Sequence, residues 1–273
     1  MSRTARLLAA AALGVLALAV LLAGRPVPAA GGDRAGPAGG VAGRFARVVF
    51  LSHVNDPAAT PVFPGDPEFT LTTVFTVPAD GFYLQYVKEG EHTGTHYSAP
   101  CHFHEGERCA DQLAARDFVR PAVVVDVRRQ AARDPDYQVS VADLRSFEAR
   151  HGRIAPGAAV IAWTGWQDRW GTPAYANEDA EGNPHQPGFS LAATRWLLRE
   201  RDLGALGTDT FGPDPGTDTD YRETSLVLHG HRMTLENLAG LDRMPPTGGL
   251  LVVGGPRNRA GSGAPSTILG LVP

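Results

Sequence analysis

The chain has 273 residues, with 25 basic and 29 acidic side chains and a formal net charge of −4. This acidic balance argues against nucleic acid or an anionic membrane surface as a partner. Lys88 is the only lysine, which all but removes Schiff-base chemistry. Cys101 and Cys109 are the only cysteines, and they lack the spacing of C-x-x-C redox sites or four-cysteine zinc sites.

Residues 1–30 open with Arg3 and Arg6, continue as an apolar run over Leu7–Gly24 and close on small residues around Val27–Ala30. That layout predicts a signal peptide or an uncleaved N-terminal anchor, and either places the domain outside the cytoplasm, secreted or membrane-anchored. Cleavage after Ala30 leaves 22 basic against 29 acidic residues, a net charge of −7. Residues 31–43, rich in Gly, Ala and Pro, read as a flexible linker, and 44–273 as one domain. In an exported chain the two cysteines form either a disulfide or a pair of small buried thiols.

Strands are predicted over 44–52, 69–77, 122–127, 158–163, 225–229, 249–255 and 266–272, which are rich in β-branched and aromatic residues. Ser140, with Asp143 three residues on, caps a helix that ends at Gly152. Ser190 caps a second helix that ends before Gly204, and a shorter one is predicted from Thr234. Strands and helices mixed in this way predict an α/β domain on a large mixed or barrel-like sheet. The intervening stretches 53–68, 88–108, 164–189 and 210–224 are long for loops, and such loops are usually functional.

The second of these holds "HTGTHYSAPCHFH", residues 92–104, with four of the chain's nine histidines. His clusters at short spacing are a metal signature. Gly94 and Pro100 argue against a helix, so a tight turn would bring His92 and His96 together, while His102 and His104 alternate in extended chain. Hydrolytic metal sites use two or three imidazoles, often a carboxylate, and an open position for water. The ion lowers the water pKa to roughly 7 and polarises the carbonyl under attack.

"HTGTHYSAPCHF" resembles the H-x-G-T-H-x-D-x-P-x-H signature of the cyclase-like metal hydrolases. That family includes bacterial kynurenine formamidases (arylformamidases), isatin hydrolases and some polyketide-associated cyclases. "LSHVNDPAATPVFPGDPEF", "ALGTDTFGPDPG", "LENLAGLDRMPPTG" and "VVGGPRNRAGSGAPSTILGLV" resemble further family segments in the same order. The resemblance implies a kynurenine formamidase-like α/β fold with a mixed, partly barrel-like central sheet and flanking helices, usually dimeric. It also implies zinc or manganese bound by His92, His96 and Glu236, with His102 handling protons.

Two departures stand out. Ser98 occupies the position of the family's Asp, and the family's histidine about three helical turns before the Glu is missing; His229 and His231, much closer to Glu236, are each either its substitute or a residue without that role, and His231 beside Arg232 reads equally as a surface residue. A serine hydroxyl brings no charge to bridge two cations, so a single metal is expected, with Ser98 lining the pocket.

Trp166 and Trp170 in "WTGWQDRW" offer either an aromatic wall for a ring-containing substrate or loop packing, and Phe63 either covers the same pocket or packs a turn. The aspartates of 208–220 do not match an EF-hand loop and read as solvated turn residues, with Asp209, at a strand end, singled out for test. These features predict a metal-dependent hydrolase of an amide or lactone carbonyl, arylformamidase-like or acting on a cyclic amide. Kynurenine formation belongs to intracellular tryptophan catabolism, which suits an exported protein poorly. The rival reading is an exported metal- or ligand-binding protein on the same scaffold without turnover.

Overall fold

The computed structural model describes residues 44–273; the signal segment and linker predicted over 1–43 lie outside the described residues. In chain order the strands are β1 (Arg47–Phe50), β2 (Thr70–Phe75), β3 (Leu84–Lys88), β4 (His96–Ser98), β5 (Val119–Asp126), β6 (Gln138–Val139) and β7 (Ala159–Trp163). They continue as β8 (Gly188–Phe189), β9 (Ala205–Thr208), β10 (Met233–Glu236), β11 (Gly249–Gly254), β12 (Gly263–Pro265) and β13 (Thr267–Val272). The helices are α1 (Val77–Asp80), α2 (Arg128–Ala131), α3 (Val141–His151), α4 (Leu191–Arg201) and α5 (Arg222–Val227).

Nine strands form one curled, half-barrel sheet in the order β1-β13-β11-β5-β7-β9-β10-β4-β12. Its centre, β5-β7-β9-β10, is parallel, and both flanks are antiparallel. Parallel strands are covered on both faces, which explains why β5 and β7 read as continuous apolar runs. Val123, Val125 and Val160 pack against Leu144 and Phe147 of α3 and Leu197 of α4. Ala122, Val124 and Ile161 point the other way, into a core with Tyr97, Leu235 and Leu251.

The helix starts follow from their caps. Ser140 Oγ accepts from Asp143 N at 3.2 Å, while Asp143 Oδ2 accepts from Ser140 N at 2.8 Å. Ser190 Oγ accepts from Ala193 N at 3.2 Å and starts α4.

Two elements differ from expectation in type, and β4 forms inside the stretch 88–108 expected as a loop. Residues 225–227, expected in a strand, close α5, and the short helix expected from Thr234 is instead β10. Met233–Glu236 is too short for periodicity to decide its type, and pairing with β9 on one side and β4 on the other fixes it as strand. The β2–β3 hairpin was half foreseen, since β3 carries no strong strand signal.

Gly94 makes the turn that separates His92 from β4. Its φ is +63°, and a Cβ there would overlap Asn55 Oδ1. Its carbonyl accepts from His96 Nδ1 at 2.9 Å and from Asn237 Nδ2 at 2.8 Å, so this turn also anchors the site. Gly94→Ala should cost at least about 1–3 kcal/mol through the left-handed conformation alone. Thermal unfolding reads this as a lower Tm; a variant that melts with wild type would show that the turn is not constrained.

Candidate metal centre

Two adjacent strands build the site. In the β4–β10 ladder His96 lies opposite Glu236 and Ser98 opposite Thr234. Residues two apart share a face, so these four side chains form one block on the sheet, while Tyr97 and Leu235 turn into the core behind it. Residues far apart in sequence thus meet across a single rung.

Within the block, Ser98 Oγ donates to Glu236 Oε1 at 3.0 Å and Thr234 Oγ1 donates to the same oxygen at 2.6 Å. Glu236 Oε2 lies 3.2 Å from His96 Nε2. That nitrogen is buried and, apart from this contact, makes no hydrogen bond. The His92 ring sits 5.0 Å from that of His96 and nearly perpendicular to it. His92 Nδ1 is 3.3 Å from Ser98 Oγ, and its Nε2 is 2.9 Å from Ser262 Oγ. His102 stacks on His92 with centroids 4.0 Å apart.

Burial and charge pull these groups in different directions. Burial, reinforced by His96 and His102, lowers the His92 pKa to about 3. Burial also opposes charge on His96, but the Glu236 carboxylate and the Gly94 carbonyl outweigh it and raise its pKa. Burial would raise Glu236, yet His96 and the Thr234 hydroxyl hold it down at about 2. His102 is lowered by burial, partly offset by Glu236, even though much of its ring opens to the cavity. Asp66, in the same cavity, is raised by burial.

The cavity has a volume of about 600 Å³ and is lined by His92, His96, His102 and Glu236 at its polar end and by Phe63, Phe103, Phe211 and Tyr221 along its walls. Phe63 meets Phe211 edge-on at 5.5 Å, and Phe103 meets Tyr221 at 6.0 Å.

Sequence expectations fare unevenly here. His92, His96, His102, Glu236 and Phe63 all line the cavity. Ser98 does not: it sits beneath the site, bonded to Glu236. Trp166 and Trp170 are corrected too. Trp166 is 1% exposed and donates through Nε1 to Tyr175 O at 2.8 Å, and Trp170 stacks on His53 at 3.9 Å. Both pack behind Phe63 and Phe211 instead of facing the cavity.

The expected alternation of His102 and His104 is broken by the 3-10 turn Pro100–His102. His104 instead stacks on His229 and bonds Ser225 O, while His229 also contacts Glu107 at 3.1 Å. Neither His229 nor His231 lines the cavity. Asp209 is buried and accepts from Thr164 and Gln167, a structural acceptor behind the loop.

Asp214 and Asp218 are buried, not solvated. Their carboxylates and that of Glu223 lie within 4.8 Å of one another, a tighter group among the described residues than His92, His96 and Glu236 make. Asp214 accepts from the Glu223 and Thr224 amides, and Asp218 from Arg222. Cys101 and Cys109 form a disulfide that brackets His102. Sequence reasoning missed Asp66, Phe103, Phe211 and Tyr221 as lining residues, although Asp66 falls in the quoted "PGDP" and Phe103 beside His102.

Fold and site together define a metal-dependent hydrolase: the Cyclase family profile matches residues 49–215, and the chain belongs to that family. Among its relatives, the isatin hydrolase of Roseibium aggregatum is 31% identical over 232 residues, covering 78% of this chain and 88% of that one. The kynurenine formamidase of Salinibacter ruber is 28% identical over 190 residues, covering 69% and 80%. The solved structure of isatin hydrolase A from Labrenzia aggregata, bound to benzyl benzoate, superposes with a TM-score of 0.77 at 31% identity over 83% of this chain and 93% of that one.

The pKa shifts set the response of the metal-free protein to acid. His92, lowered from 6.5 to about 3, stays neutral in the fold while the unfolded chain takes up a proton, so stability falls as pH drops below 6.5. Glu236, lowered from 4.5 to about 2, adds a second loss between those values. His96, raised, works the other way, stabilising at low pH and losing that contribution as pH rises through its folded value. His53, lowered by burial to about 4, adds to the same loss, so melting of chelator-stripped protein should fall from pH 6.5 toward pH 3; a melting temperature that is flat over this window would contradict the burial of His53, His92 and Glu236.

Proposed function

We propose that the chain holds one divalent metal, zinc or manganese, through His92, His96 and Glu236, and hydrolyses the amide or lactone carbonyl of a small ring-containing substrate. Isatin-like cyclic amides and aryl formamides, the substrate types named for its relatives, come first. The observation that carries the reading is the buried His96 Nε2, which has no hydrogen-bond partner and faces Glu236 Oε2 at 3.2 Å. A lone pair and a carboxylate oxygen converging in a buried pocket suit a divalent ion. When bound, such an ion supplies Lewis acidity and a water of lowered pKa.

The chain's own residues do the rest. His102, open to the cavity and held neutral by burial, takes the proton of the attacking water and returns it to the departing nitrogen or oxygen. Its stacking on His92 fixes the ring plane. Phe63, Phe103, Phe211 and Tyr221 enclose the substrate's ring and keep bulk water away from the carbonyl. Turnover on a panel of isatin-like lactams, aryl formamides and lactones tests the activity. His102→Ala should lower kcat by ~10²–10⁴-fold while the metal stays bound. Parallel loss of metal would make His102 a ligand, and no turnover on any class would favour the non-catalytic binding protein.

Export is part of the same proposal. It rests on the composition of residues 1–30, and the Cys101–Cys109 disulfide supports it because disulfides persist in oxidising compartments.

A homodimer is proposed from the β2–β3 hairpin. Phe82, Tyr83, Leu84, Tyr86 and Val87 are 44–62% exposed, and a lone two-stranded hairpin is marginally stable in water. A second copy of this chain covers it. Light scattering should give a dimer for wild type and a monomer for Phe82→Asp/Tyr86→Asp; a monomeric wild type would refute the role of the hairpin.

A further inference from the structure

Glu91 precedes His92, and its Oε2 accepts two hydrogen bonds from Ser262, from the amide at 2.7 Å and from the hydroxyl at 2.8 Å. A serine hydroxyl has one proton to give. With that proton committed to Glu91, Ser262 Oγ can only accept along its 2.9 Å contact with His92 Nε2. Nε2 therefore carries the hydrogen of the neutral ring, and Nδ1 is bare. The contact on the other side is the weaker one: Ser98 gives its one proton to Glu236 Oε1 at 3.0 Å, so its oxygen can accept from an Nδ1–H only along a longer 3.3 Å approach, and the 2.9 Å contact at Nε2 decides the tautomer. If the Ser98 proton turned to His92 instead, Nδ1 would accept it, and the tautomer would be the same.

We infer that Glu91 and Ser262 are positioning residues that hold His92 as the Nε2–H tautomer and so present its Nδ1 to the divalent metal. This rests on the metal reading proposed above, in which His92 is a ligand.

The same logic selects the other two donor atoms. His96 Nδ1 donates to Gly94 O at 2.9 Å, which leaves Nε2 free. Ser98 and Thr234 both occupy Glu236 Oε1, which leaves Oε2 free. Each ligand thus has one atom tied down by the chain and one turned to the site, before any ion arrives. Outer hydrogen bonds of this kind fix ring orientation and raise ligand basicity.

Ser262 is itself immobilised. Its carbonyl accepts from Ala99 N at 2.7 Å, and the Gly261 carbonyl accepts from Ala110 N at 2.9 Å. Both amides flank the disulfide-closed loop that carries His102, so one scaffold orients the ligand and the proton-handling histidine together.

Nitrogen-15 NMR of the chelator-stripped protein reads the His92 tautomer without metal or activity, with the resonance assigned from a His92→Gln variant. Zinc titration reads affinity separately. Wild type should show a protonated Nε2 and a bare Nδ1. Ser262→Ala and Glu91→Ala, each measured on its own, should lose the single tautomer and bind zinc about 10–100-fold more weakly. A protonated Nδ1 in wild type overturns the inference whatever the variants do. So does an unchanged tautomer and zinc affinity in either folded variant. Wild-type protein that shows the Nε2–H tautomer but binds no zinc refutes the metal reading while leaving the tautomer assignment intact.

Discussion

An imidazole and a carboxylate buried side by side carry a large desolvation cost, and in this chain that cost is met by strand register. His96 and Glu236 are opposed across the β4–β10 ladder, so neither can leave the contact without shifting a strand. A one-residue slip of β4 would turn His96 into the core and bring Tyr97 to the cavity beside Glu236. Truncating one member of such a pair leaves the other uncompensated, at a cost of about 3–5 kcal/mol. The curled sheet, the Gly94 turn and the disulfide-closed loop all serve to keep this rung at the floor of the cavity.

Ser98 changes the electrostatics of that floor. With a neutral hydroxyl at Ser98, the block carries one buried negative charge, on Glu236, and two hydroxyl donors saturate its Oε1. The result is a carboxylate presented through a single oxygen, which suits one ion better than two. In the second acidic group Asp214 has donors in the backbone of α5 and Asp218 in Arg222, while Glu223 Oε2 is buried without a hydrogen-bond partner.

Much of this was legible in the sequence for a physical reason. Four histidines within 92–104 are more than core packing calls for, so the cluster shows without a structure; three of them line the cavity, while His104 packs on His229. The strands β5, β7, β11 and β13 and the capped helices α3 and α4 declare themselves by composition and local hydrogen bonding, which are short-range properties. Glu236 was legible only through family resemblance, because register between distant strands leaves no local trace. Ser262, 170 residues from His92, left none at all. Trp166 and Trp170 show the limit of composition, since an aromatic loop beside a pocket can face it or pack behind it, and here Tyr175 and His53 take both indoles. Residues 225–236 were misread because segments of four to six residues are too short for periodicity to separate helix from strand.

The central claim is that the β4–β10 rung, with His92 beside it, is a site for one divalent ion. Elemental analysis of the purified chain, set beside the His96→Ala/Glu236→Gln double variant, tests it most directly. The account predicts one equivalent of zinc or manganese in wild type and its loss in the variant. Wild-type protein without metal, or a folded variant that keeps its full complement, would contradict it.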